Sequence, residues 1–396
     1  MDAQPMHLLV IGGKLQGTEA VYLAKKAGME VTLIDRNPCV PARSIADHFV
    51  NIDAGDQEKC SFFIQKADLV IPGLENARTL RSLNLFCEAA GTPFIYDTSA
   101  YHISSSKKRS KKLFAAEGIP SPRPWPGCGF PVVLKPSAGS GSRGVRVIEN
   151  PEPAPEFISE QGIAEQYISG LHCSVEVTGF RGNIRVHQIT HLEMDSQFDC
   201  KRVTAPAVLD RDAVSRFNQI AFNLADSLGL DGIMDVEAVY DGKDFYVLEI
   251  DARFPSQTPI AVYWSSGINL VEELAVLYTG KPRALIREGR FFSKRGEGVV
   301  LEHIRVKPPF LEVSGEHLMA DVPELQVEKE FFGADEAITD YRTGKTEWTA
   351  TLICSAATRE NAFLKSRGVK KKIMSFCGIK EYKDESPKIA AGGCYG

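Results

Sequence analysis

Short apolar strands alternate with helices through the first 100 residues of this chain, and this alternation constrains the fold more than any other feature. The strand-like runs include HLLVIGG at 7–13 and EVTLID at 30–35, and helical spacing follows in TEAVYLAKKAG at 18–28. Gly28 and Gly91 are placed to end the first and last of these helices. Strands that alternate with helices form a parallel, doubly wound sheet. The sequence therefore predicts an α/β fold for this part of the chain.

The pattern changes after a polar, proline-rich segment at 101–131. PVVLKPSAGSGSRGVRVI at 131–148 is typical of a hairpin, and the run at 234–254 predicts a second hairpin that turns at Asp241-Gly242. Helices are expected between the later strands, so these regions are α+β. We expect three domains: an N-terminal one at 1–100, a central one at 101–180, and a C-terminal one with an extension at 181–396.

Three further segments carry specific structural expectations. IRVHQITHLEM at 184–194 alternates like one continuous strand. A basic helix is expected from Lys365 to Phe376, and the polar end at 380–396 is expected to fray.

Charge and cysteine usage exclude several classes of protein. With 46 basic and 51 acidic residues, the formal charge of −5 gives no reason to expect a nucleic acid partner. No apolar run approaches the ~18 residues of a bilayer span, and the start lacks the basic region of a secretory signal. The nine cysteines never pair as CxxC and the eight histidines lack metal-binding spacing, so we expect reduced thiols and no zinc site. We expect a cytoplasmic protein that acts on small molecules.

The turn after the first strand carries glycines at positions 12, 13 and 17, and Asp35 ends the second strand. This partly matches the dinucleotide fingerprint, in which glycines admit a pyrophosphate to a helix N-terminus and the acid binds a ribose. Lys14 stands where the fingerprint needs a glycine, and its side chain would obstruct the pyrophosphate. The pattern favours a tight strand-to-helix turn. A nicotinamide or flavin site, or a turn that faces a ligand of a neighbouring domain, are the alternatives.

A lysine and a glycine-rich loop form the second motif. Lys135 ends the strand VVLK, and the loop at 137–144 contains three glycines and three serines. Such a loop can fold over phosphates with its backbone N–H groups while a lysine balances their charge. The motif is neither a Walker A loop nor a kinase loop. Taken alone, it fits a phosphate lid and an inert hairpin tip equally well.

Three carboxylates on the second hairpin form the third motif. Glu249 and Asp251 point to one face of a strand, and the turn brings Glu237 beside them. Carboxylates held together on one face are costly unless a cation neutralises them. Oxygen ligands select Mg²⁺ or Mn²⁺, and Mg²⁺ typically bridges substrate phosphates. With the lysine and loop upstream, the trio predicts a metal–nucleotide site rather than an exposed acidic sheet face.

In this order, the motifs resemble those of the ATP-grasp carboxylate–amine ligases, and the resemblance covers about residues 7–290. The family pattern is a lysine with a glycine-rich loop, an E-x-x-I/V adenine hinge, and an acid followed by E-x-N/D before an arginine. The hinge corresponds to Glu165–Ile168, and the last part to Glu237 with the run Glu249–Arg253. Ser106 departs from the aspartate that usually precedes the first ATP lysine, here Lys107. Asp251 replaces the usual asparagine but keeps an oxygen ligand.

The resemblance implies an ATP-grasp fold and a ligase that activates a carboxylate as an acyl phosphate before an amine attacks it. It implies ATP and Mg²⁺, or Mn²⁺, as cofactors, with Glu237, Glu249 and Asp251 as metal ligands. Arg253 and Lys135 are expected to act in catalysis by balancing charge on the transferring phosphoryl group. The residues expected to bind ATP are Lys107, Lys135, Ser140, Gly141, Ser142, Glu165, Gln166, Tyr167, Ile168 and His172.

Three segments resemble one branch of this family more closely: GGKLQGTEA at 12–20, CKRVTAPA at 200–207 and DARFPSQTP at 251–259. Enzymes of this branch act in pyrrolysine biosynthesis. They join the carboxylate of 3-methyl-D-ornithine, or D-ornithine, to the ε-amine of L-lysine. The resemblance therefore implies these amino acids and ATP as the small-molecule partners.

Both amino acids carry ammonium groups, so the pocket needs polar and acidic groups apart from the metal ligands. The candidates are Leu15, Gln16, Glu75, Ser174, Glu176, Asp235, Arg253, Ser256, Gln257 and Thr258. Leu15, Gln16 and Glu75 are expected to hold the head group of lysine. Two other functions stay open: an ATP-grasp ligase for another amino acid or a purine intermediate, and a non-enzymatic dinucleotide-sensing protein.

Overall fold

The N-terminal part of the molecule is a four-stranded parallel sheet. The structure is a computed structural model and describes residues 5–139, 141–150, 162–281 and 298–387. The strands pair in the order β3-β2-β1-β4, all parallel, which confirms the predicted sheet. Its elements are β1 His7–Ile11, α1 Leu15–Lys26, β2 Glu30–Ile34, β3 His48–Val50, α2 Gln57–Ile64, β4 Leu69–Pro72 and α3 Ala77–Ala90.

Two short helices lead from this sheet to a small antiparallel sheet with the order β6-β5-β7. The predicted hairpin is formed by β5 and β6, where Val132 pairs with Ile148. The loop with the glycines joins these two strands at the end where Lys135 lies. The elements are α4 Thr98–Ser104, α5 Lys107–Ala116, β5 Val132–Pro136, β6 Arg146–Ile148 and β7 Gly162–Gln166.

The remaining strands form one large sheet, whose main path runs β13-β12-β8-β10-β11-β14-β18-β17-β16. Strands β9, β15 and β19 pair beside this path. The first half of these elements is β8 Leu171–Phe180, β9 Asn183–Val186, β10 Thr190–Met194, β11 Cys200–Ala205, α6 Arg211–Leu228, β12 Gly232–Tyr240 and β13 Phe245–Asp251. The second half is α7 Thr258–Ser266, α8 Leu270–Thr279, β14 Gly298–Lys307, β15 Phe310–Val313, α9 His317–Ala320, β16 Gln326–Lys329, β17 Glu336–Thr339, β18 Trp348–Ala356, α10 Arg359–Cys377 and β19 Glu381–Asp384.

One apolar cluster fixes the parallel sheet against the large sheet. Buried residues of α1, such as Leu23, belong to the same cluster as Ile260 of α7, Leu274 of α8 and Leu301 of β14. Burying such side chains provides about 25 cal/mol per Å² of apolar surface removed from water. The end of β1 is therefore held close to the start of α7, where the predicted substrate residues lie.

Two structural expectations were wrong. The run expected to be one strand is divided into β9 and β10, because its register against β8 shifts by one residue: Val186 pairs with Val177, but Thr190 pairs with Ser174. Part of the end expected to fray instead forms β19, which pairs in parallel with β15, while 388–396 lie outside the described residues. Asp384 of β19 lies 2.6 Å from the buried Lys201 ammonium, and this ion pair fastens the strand.

The basic helix expected from Lys365 to Phe376 is present but begins earlier, as α10. Thr358 caps its first turn by accepting a hydrogen bond from the N–H of Asn361. None of the described helices could cross a bilayer alone, although α7 and α8, joined at a bend of 93°, pass the length and hydropathy criteria as a pair. The eight described cysteines are free thiols, as expected.

The glycine turn after β1 is a close crossing of backbones. A Cβ on Gly17 would lie 1.9 Å from the carbonyl oxygen of Gly12, and one on Gly73 would lie 2.6 Å from the same atom. Asp35 accepts hydrogen bonds from the N–H groups of Gly13 and Asn37, both at 2.8 Å. The glycines and Asp35 therefore serve the packing of the turn itself, which favours the structural interpretation over a dinucleotide site.

Candidate active site

Four acidic side chains share one face of the large sheet. Asp235 and Glu237 lie two residues apart on β12, and their partners on β13 are Asp251 and Glu249 respectively. On the other side of β12, strand β8 places Glu176 opposite Asp235. A shift in register after Glu237 ends this regular pairing toward the hairpin turn. The predicted trio is thus assembled by strand pairing alone.

Burial and mutual repulsion shift the titration of these groups. Burial first, and then the charges of Glu249 and Asp251, raise the pKa of Glu237 to about 8. Burial also raises the pKa of Asp251 to about 6. For Glu249 burial acts in the same direction, but nearby cations, chiefly Lys107, hold its pKa below the usual range. A bound cation would relieve the repulsion that contributes to the raised pKa values of Glu237 and Asp251, which are partly buried.

Lys107 at the start of α5 takes part of that neutralising role. Its ammonium lies 2.7 Å from a carboxylate oxygen of Glu249 and 3.2 Å from the carbonyl oxygen of Gly139 in the loop. Within the described residues, no group of three or more His, Cys, Asp or Glu side chains is arranged to hold a metal ion. The oxygen-only donor set of Glu237, Glu249 and Asp251 nevertheless suits Mg²⁺. Assignment of the trio to a metal stays a prediction.

Arg253 links the carboxylate face to the first sheet. Its Nε lies 2.8 Å from a carboxylate oxygen of Glu75, and its Nη2 lies 3.0 Å from Asp251. The same Glu75 oxygen accepts a hydrogen bond from the Gln16 amide at 2.8 Å. Glu75, expected to bind a lysine ammonium, therefore already helps to orient Arg253. Its predicted role in substrate binding is not excluded by this contact.

A cavity of about 810 Å³ lies between the small sheet and the large sheet. Its walls are apolar at Val133, Val145 and Leu248, as a purine ring requires, and polar where the loop and the carboxylates meet. Most of the residues expected to bind ATP line it, together with two of the expected metal ligands: Lys107, Lys135, Ser142, Glu165, Gln166, Tyr167, Ile168, His172, Glu237 and Glu249. Of the other expected ATP residues, Gly141 lines the adjoining cavity and Ser140 lies outside the described residues.

Glu165 at the hinge is held by two lysines. Its carboxylate lies 2.7 Å from the Lys111 ammonium and 2.9 Å from that of Lys135. Burial alone would raise the pKa of Glu165, but the two cations lower it below the usual range. Burial also lowers the pKa of Lys111. The hinge carboxylate thus fixes the position of Lys135 at the cavity wall.

His172 opens β8 beside the hinge. Burial, with a smaller contribution from the charge of Lys135, lowers the pKa of His172 to about 4. The imidazole is therefore neutral at physiological pH and can hydrogen-bond to a neutral hydroxyl such as that of a ribose. This agrees with its expected position.

The glycine-rich loop packs against α9. A Cβ built on Gly141, whose φ is +65°, would lie 2.2 and 2.4 Å from atoms of the His317 ring. The His317 ring is in turn held by Asp199, whose carboxylate lies 2.8 Å from Nδ1. The loop is therefore seated on a fixed imidazole, at a position that only glycine can occupy without displacing it.

This contact leads to a prediction for ATP binding. In Gly141→Ala we expect the KM for ATP to rise about tenfold, since backbone strain and the clash with His317 together cost about 1.4 kcal/mol. In a His317→Ala background, the same substitution should raise the KM much less, because only the backbone strain remains. Steady-state kinetics of the four proteins measure this. An equal increase in both backgrounds would exclude the His317 contact as the cause.

A second cavity of about 610 Å³ adjoins the first and shares Ser142, Met194, Phe198, Glu237 and Glu249 with it. Within the described residues, the buried Ser174 hydroxyl and the Oδ1 atom of Asp235 have no hydrogen-bonding partner. Burial raises the pKa of Glu176, which is fully buried beside these groups, to about 7. The expected substrate residues that line this cavity are Ser174, Asp235, Arg253, Ser256, Gln257 and Thr258.

The other expected substrate residues lie on the far side of Arg253. Leu15, Gln16 and Glu75 line a wide cavity of about 1970 Å³ at the carboxyl ends of β1 and β4. The loop borders it through Gly139 and Arg143. One group of predicted substrate residues thus lines the second cavity, and the other lines this wide cavity on the opposite side of the Arg253 guanidinium.

Several residues at these cavities were not predicted from the sequence. They are Lys111, Arg143, Met194, Phe198, Asp199, Glu316 and His317. Lys111 lies one helical turn after Lys107, so helical spacing could have signalled it. Glu316 and His317 follow β15, far along the chain, and no local motif marks them.

Two family models match parts of the chain. The model described as an ATP-grasp domain matches residues 104–257, which include the loop, the hinge, the carboxylates and Arg253. The model described as the C-terminal domain of alanine dehydrogenase/PNT matches residues 1–75, which form most of the parallel sheet.

Curated relatives cover more of the chain. The 3-methyl-D-ornithine–L-lysine ligase of Methanosarcina barkeri is 41% identical over 273 residues, which are 69% of this chain and 73% of that protein. The enzyme of the same name from Methanosarcina acetivorans is 39% identical over 314 residues, 79% of each chain.

Solved structures support the same architecture. The biotin carboxylase domain of Hydrogenobacter thermophilus 2-oxoglutarate carboxylase, crystallised with MgADP, ADP and bicarbonate, aligns with a TM-score of 0.67 at 18% identity. The alignment covers 92% of this chain and 89% of that one. At this identity, the likeness establishes the ATP-grasp fold.

Proposed function

We propose a specific reaction for this chain, which belongs to the family of 3-methyl-D-ornithine–L-lysine ligases and is an ATP-dependent carbon–nitrogen ligase. The proposed reaction joins the carboxylate of 3-methyl-D-ornithine, or D-ornithine, to the ε-amine of L-lysine in pyrrolysine biosynthesis. One observation carries it: the cavity lined by the hinge and the lysines opens into a second cavity lined by acidic groups and Arg253.

ATP would occupy the first cavity. We place adenine between the apolar walls at the hinge, with the neutral imidazole of His172 at the ribose. The phosphates would extend toward Lys107 and Lys135, beneath the glycine-rich loop. This places the γ-phosphate beside Glu237 and Glu249, the residues that the two cavities share.

Glu237, Glu249 and Asp251 would hold Mg²⁺, or Mn²⁺ in its place. Bound there, the metal would supply positive charge that balances the charge developing on the phosphates during transfer. The raised pKa of Glu237 supports this, because ionisation of three neighbouring carboxylates needs a cation. Lys107, now beside Glu249, would turn toward the phosphates as the metal binds.

The chemistry proceeds in two steps. A carboxylate oxygen of the ornithine substrate attacks the γ-phosphorus, the bond to the β–γ bridging oxygen breaks, and ADP leaves. The ε-amine of lysine then attacks the acyl carbon, the bond between that carbon and the phosphate oxygen breaks, and the proton lost by the amine nitrogen passes to the departing phosphate as the amide forms. Arg253 would balance charge on the transferring group, with its guanidinium plane held by Glu75 and Asp251.

Acidic groups beyond the metal ligands support an amino acid as the acyl donor. Asp235 lines the second cavity, Glu176 lies opposite it on β8, and burial raises the pKa of each. An ammonium group would satisfy their oxygens and favour their charged forms.

The product decides between this reaction and another ATP-grasp ligation. Mass spectrometry should detect an amide, together with ADP, when the protein is incubated with MgATP, L-lysine and D-ornithine or 3-methyl-D-ornithine. A panel of other amino acids and purine precursors serves as the comparison. If amide formed only with another carboxylate, the proposed substrates would be wrong and the ligase assignment would stand. NAD binding without any ligation would favour a dinucleotide sensor.

The amine substrate provides a further prediction. Cadaverine keeps the chain and amine of lysine but lacks its carboxylate, so it should react at least ~100-fold more slowly in kcat/KM than L-lysine. The physical reason is that a site built to bind a charged head group leaves its own buried polar groups unsatisfied when that group is missing. Equal rates for the two amines would contradict a lysine head-group site.

A further inference from the structure

A third cavity, called the slot below, adjoins the second cavity at the start of α7. It shares Ser256, Gln257 and Glu316 with the second cavity. Its walls are mainly aliphatic, at Ile260, Leu301, Met319, Leu325 and Ile338. The ligation mechanism above uses none of these groups.

The polar groups of the slot are acceptors. Glu19 is 5% exposed, and its carboxylate accepts the N–H of Ile260 at 2.7 Å. No cationic side chain forms an ion pair with it among the residues that the structure describes. Glu316 adds a second carboxylate close enough to raise the pKa of Glu19, after burial as the main cause. A buried and a partly buried carboxylate that repel each other would be stabilised by a cationic group between them.

Unsatisfied atoms point into the same slot. Gln257 is 6% exposed and its Oε1 has no hydrogen-bonding partner within the described chain; the same holds for Nε2 of His303, which is 4% exposed. His303 is anchored through Nδ1, 2.8 Å from the Thr351 hydroxyl. Burial lowers the pKa of His303 to about 4, so the ring is neutral, and Nε2 accepts a hydrogen bond when Nδ1 donates to the Thr351 hydroxyl. Buried polar atoms in native proteins are normally satisfied, so a ligand donor is expected here.

Gln257, at the entrance of the slot, has a strained backbone conformation. Its φ of +69° and ψ of −54° are unusual for a residue other than glycine. Such conformations cost about 1–3 kcal/mol and concentrate at ligand sites. The strain places the side chain between the two cavities, where it can contact a molecule that passes from one to the other.

We propose that this slot binds the alkyl-ammonium arm of the acyl-donor amino acid, with Glu19 and Glu316 as the ammonium acceptors and Gln257 at the entrance. The inference rests on the proposed function. The reacting carboxylate lies by Arg253 in the second cavity, and the arm of the same molecule passes Ser256 into the slot. The aliphatic walls contact the methylene groups, and the acceptors bind the terminal ammonium.

The arm belongs to the acyl donor rather than to lysine. The far end of lysine carries a carboxylate as well as an ammonium, and no Lys or Arg lines the described part of the slot. A buried carboxylate beside Glu19 and Glu316 would be repelled. An arm that ends in an ammonium alone, as in ornithine, fits the acceptors.

The test compares D-ornithine with D-norvaline, which has the same carbon chain without the terminal amine. For Glu316→Gln, we expect kcat/KM to fall about 100-fold with D-ornithine and less than about threefold with D-norvaline, because only the former loses a charged partner. L-lysine and MgATP are held saturating, and amide is measured by mass spectrometry. Glu58→Gln, at an exposed site on α2, is the matched control and should change neither rate. Equal losses of kcat/KM for the two substrates, or no loss with D-ornithine, would overturn the proposal that the slot binds the ammonium arm.

Binding measurements test the slot independently of the ligation reaction. Isothermal titration calorimetry of the wild-type, Glu316→Gln and Glu19→Gln proteins with D-ornithine and D-norvaline should show the same selective loss. If the wild type formed no amide from any diamino acid, the proposed function would be wrong. These titrations would still show whether the slot binds the ammonium arm. D-ornithine binding that is unchanged in both variants, with melting temperatures within a few degrees of wild type, would overturn it.

Discussion

Glu249→Gln is expected to lower ligase turnover by at least ~100-fold, the scale on which lost transition-state electrostatics act, while the protein stays folded. Gln has nearly the volume of Glu, so the packing between β12 and β13 is kept. The substitution removes the charge that a metal needs at this position and the ion pair of 2.7 Å to Lys107. Turnover is measured as ADP and amide formed at saturating substrates, and folding by circular dichroism and thermal unfolding.

Asp244→Asn is the matched control for this prediction. Asp244 lies at the exposed turn of the same hairpin, away from the cavities. It should leave turnover within about twofold of wild type, as expected of a surface change. If Glu249→Gln retained near wild-type turnover, the assignment of the carboxylate trio to a metal would have to be abandoned.

The regular parts of the fold were predictable from local patterns. The parallel sheet follows from alternating strands and helices, and the acidic face follows from one hairpin whose register places Glu237 opposite Glu249. Both depend on contacts between neighbouring segments. The strand break between β9 and β10 was not predictable, because it is a one-residue shift of register against β8, a strand outside the run itself.

The carboxylates of the slot were likewise not predictable from local sequence patterns. Glu19 lies in α1 and Glu316 before α9, almost 300 residues apart, and the packing of α1 against both α7 and α9 brings them to one slot. Glu19 belongs to the segment GGKLQGTEA at 12–20, but the spacing there does not mark it as a substrate ligand, and Glu316 belongs to no motif. Family resemblance marked Ser256, Gln257 and Thr258 as substrate residues. The strained backbone that orients Gln257 is visible only in three dimensions.

Arg253 lies between the two predicted sets of substrate residues. We expect a second large loss of activity when its geometry is changed. Arg253→Lys should lower kcat about 100-fold although the charge is kept, since a single ammonium cannot reproduce the two directions toward Glu75 at 2.8 Å and Asp251 at 3.0 Å. Lost orientation of the guanidinium is the expected cause, so the KM for ATP should change by less than about threefold.

A double-mutant cycle then decides what Glu75 does. If Glu75 acts by orienting Arg253, the single substitution Glu75→Gln should lower kcat/KM for lysine about tenfold. In the Arg253→Lys background, the same substitution should lower kcat/KM hardly any further. If Glu75 binds the lysine ammonium independently, as the sequence suggested, the two losses should multiply. Because Glu75 accepts hydrogen bonds from both Gln16 and Arg253, we expect the losses not to multiply. Fully multiplicative losses would instead place the head group of lysine directly on Glu75, in the cavity at the carboxyl ends of β1 and β4.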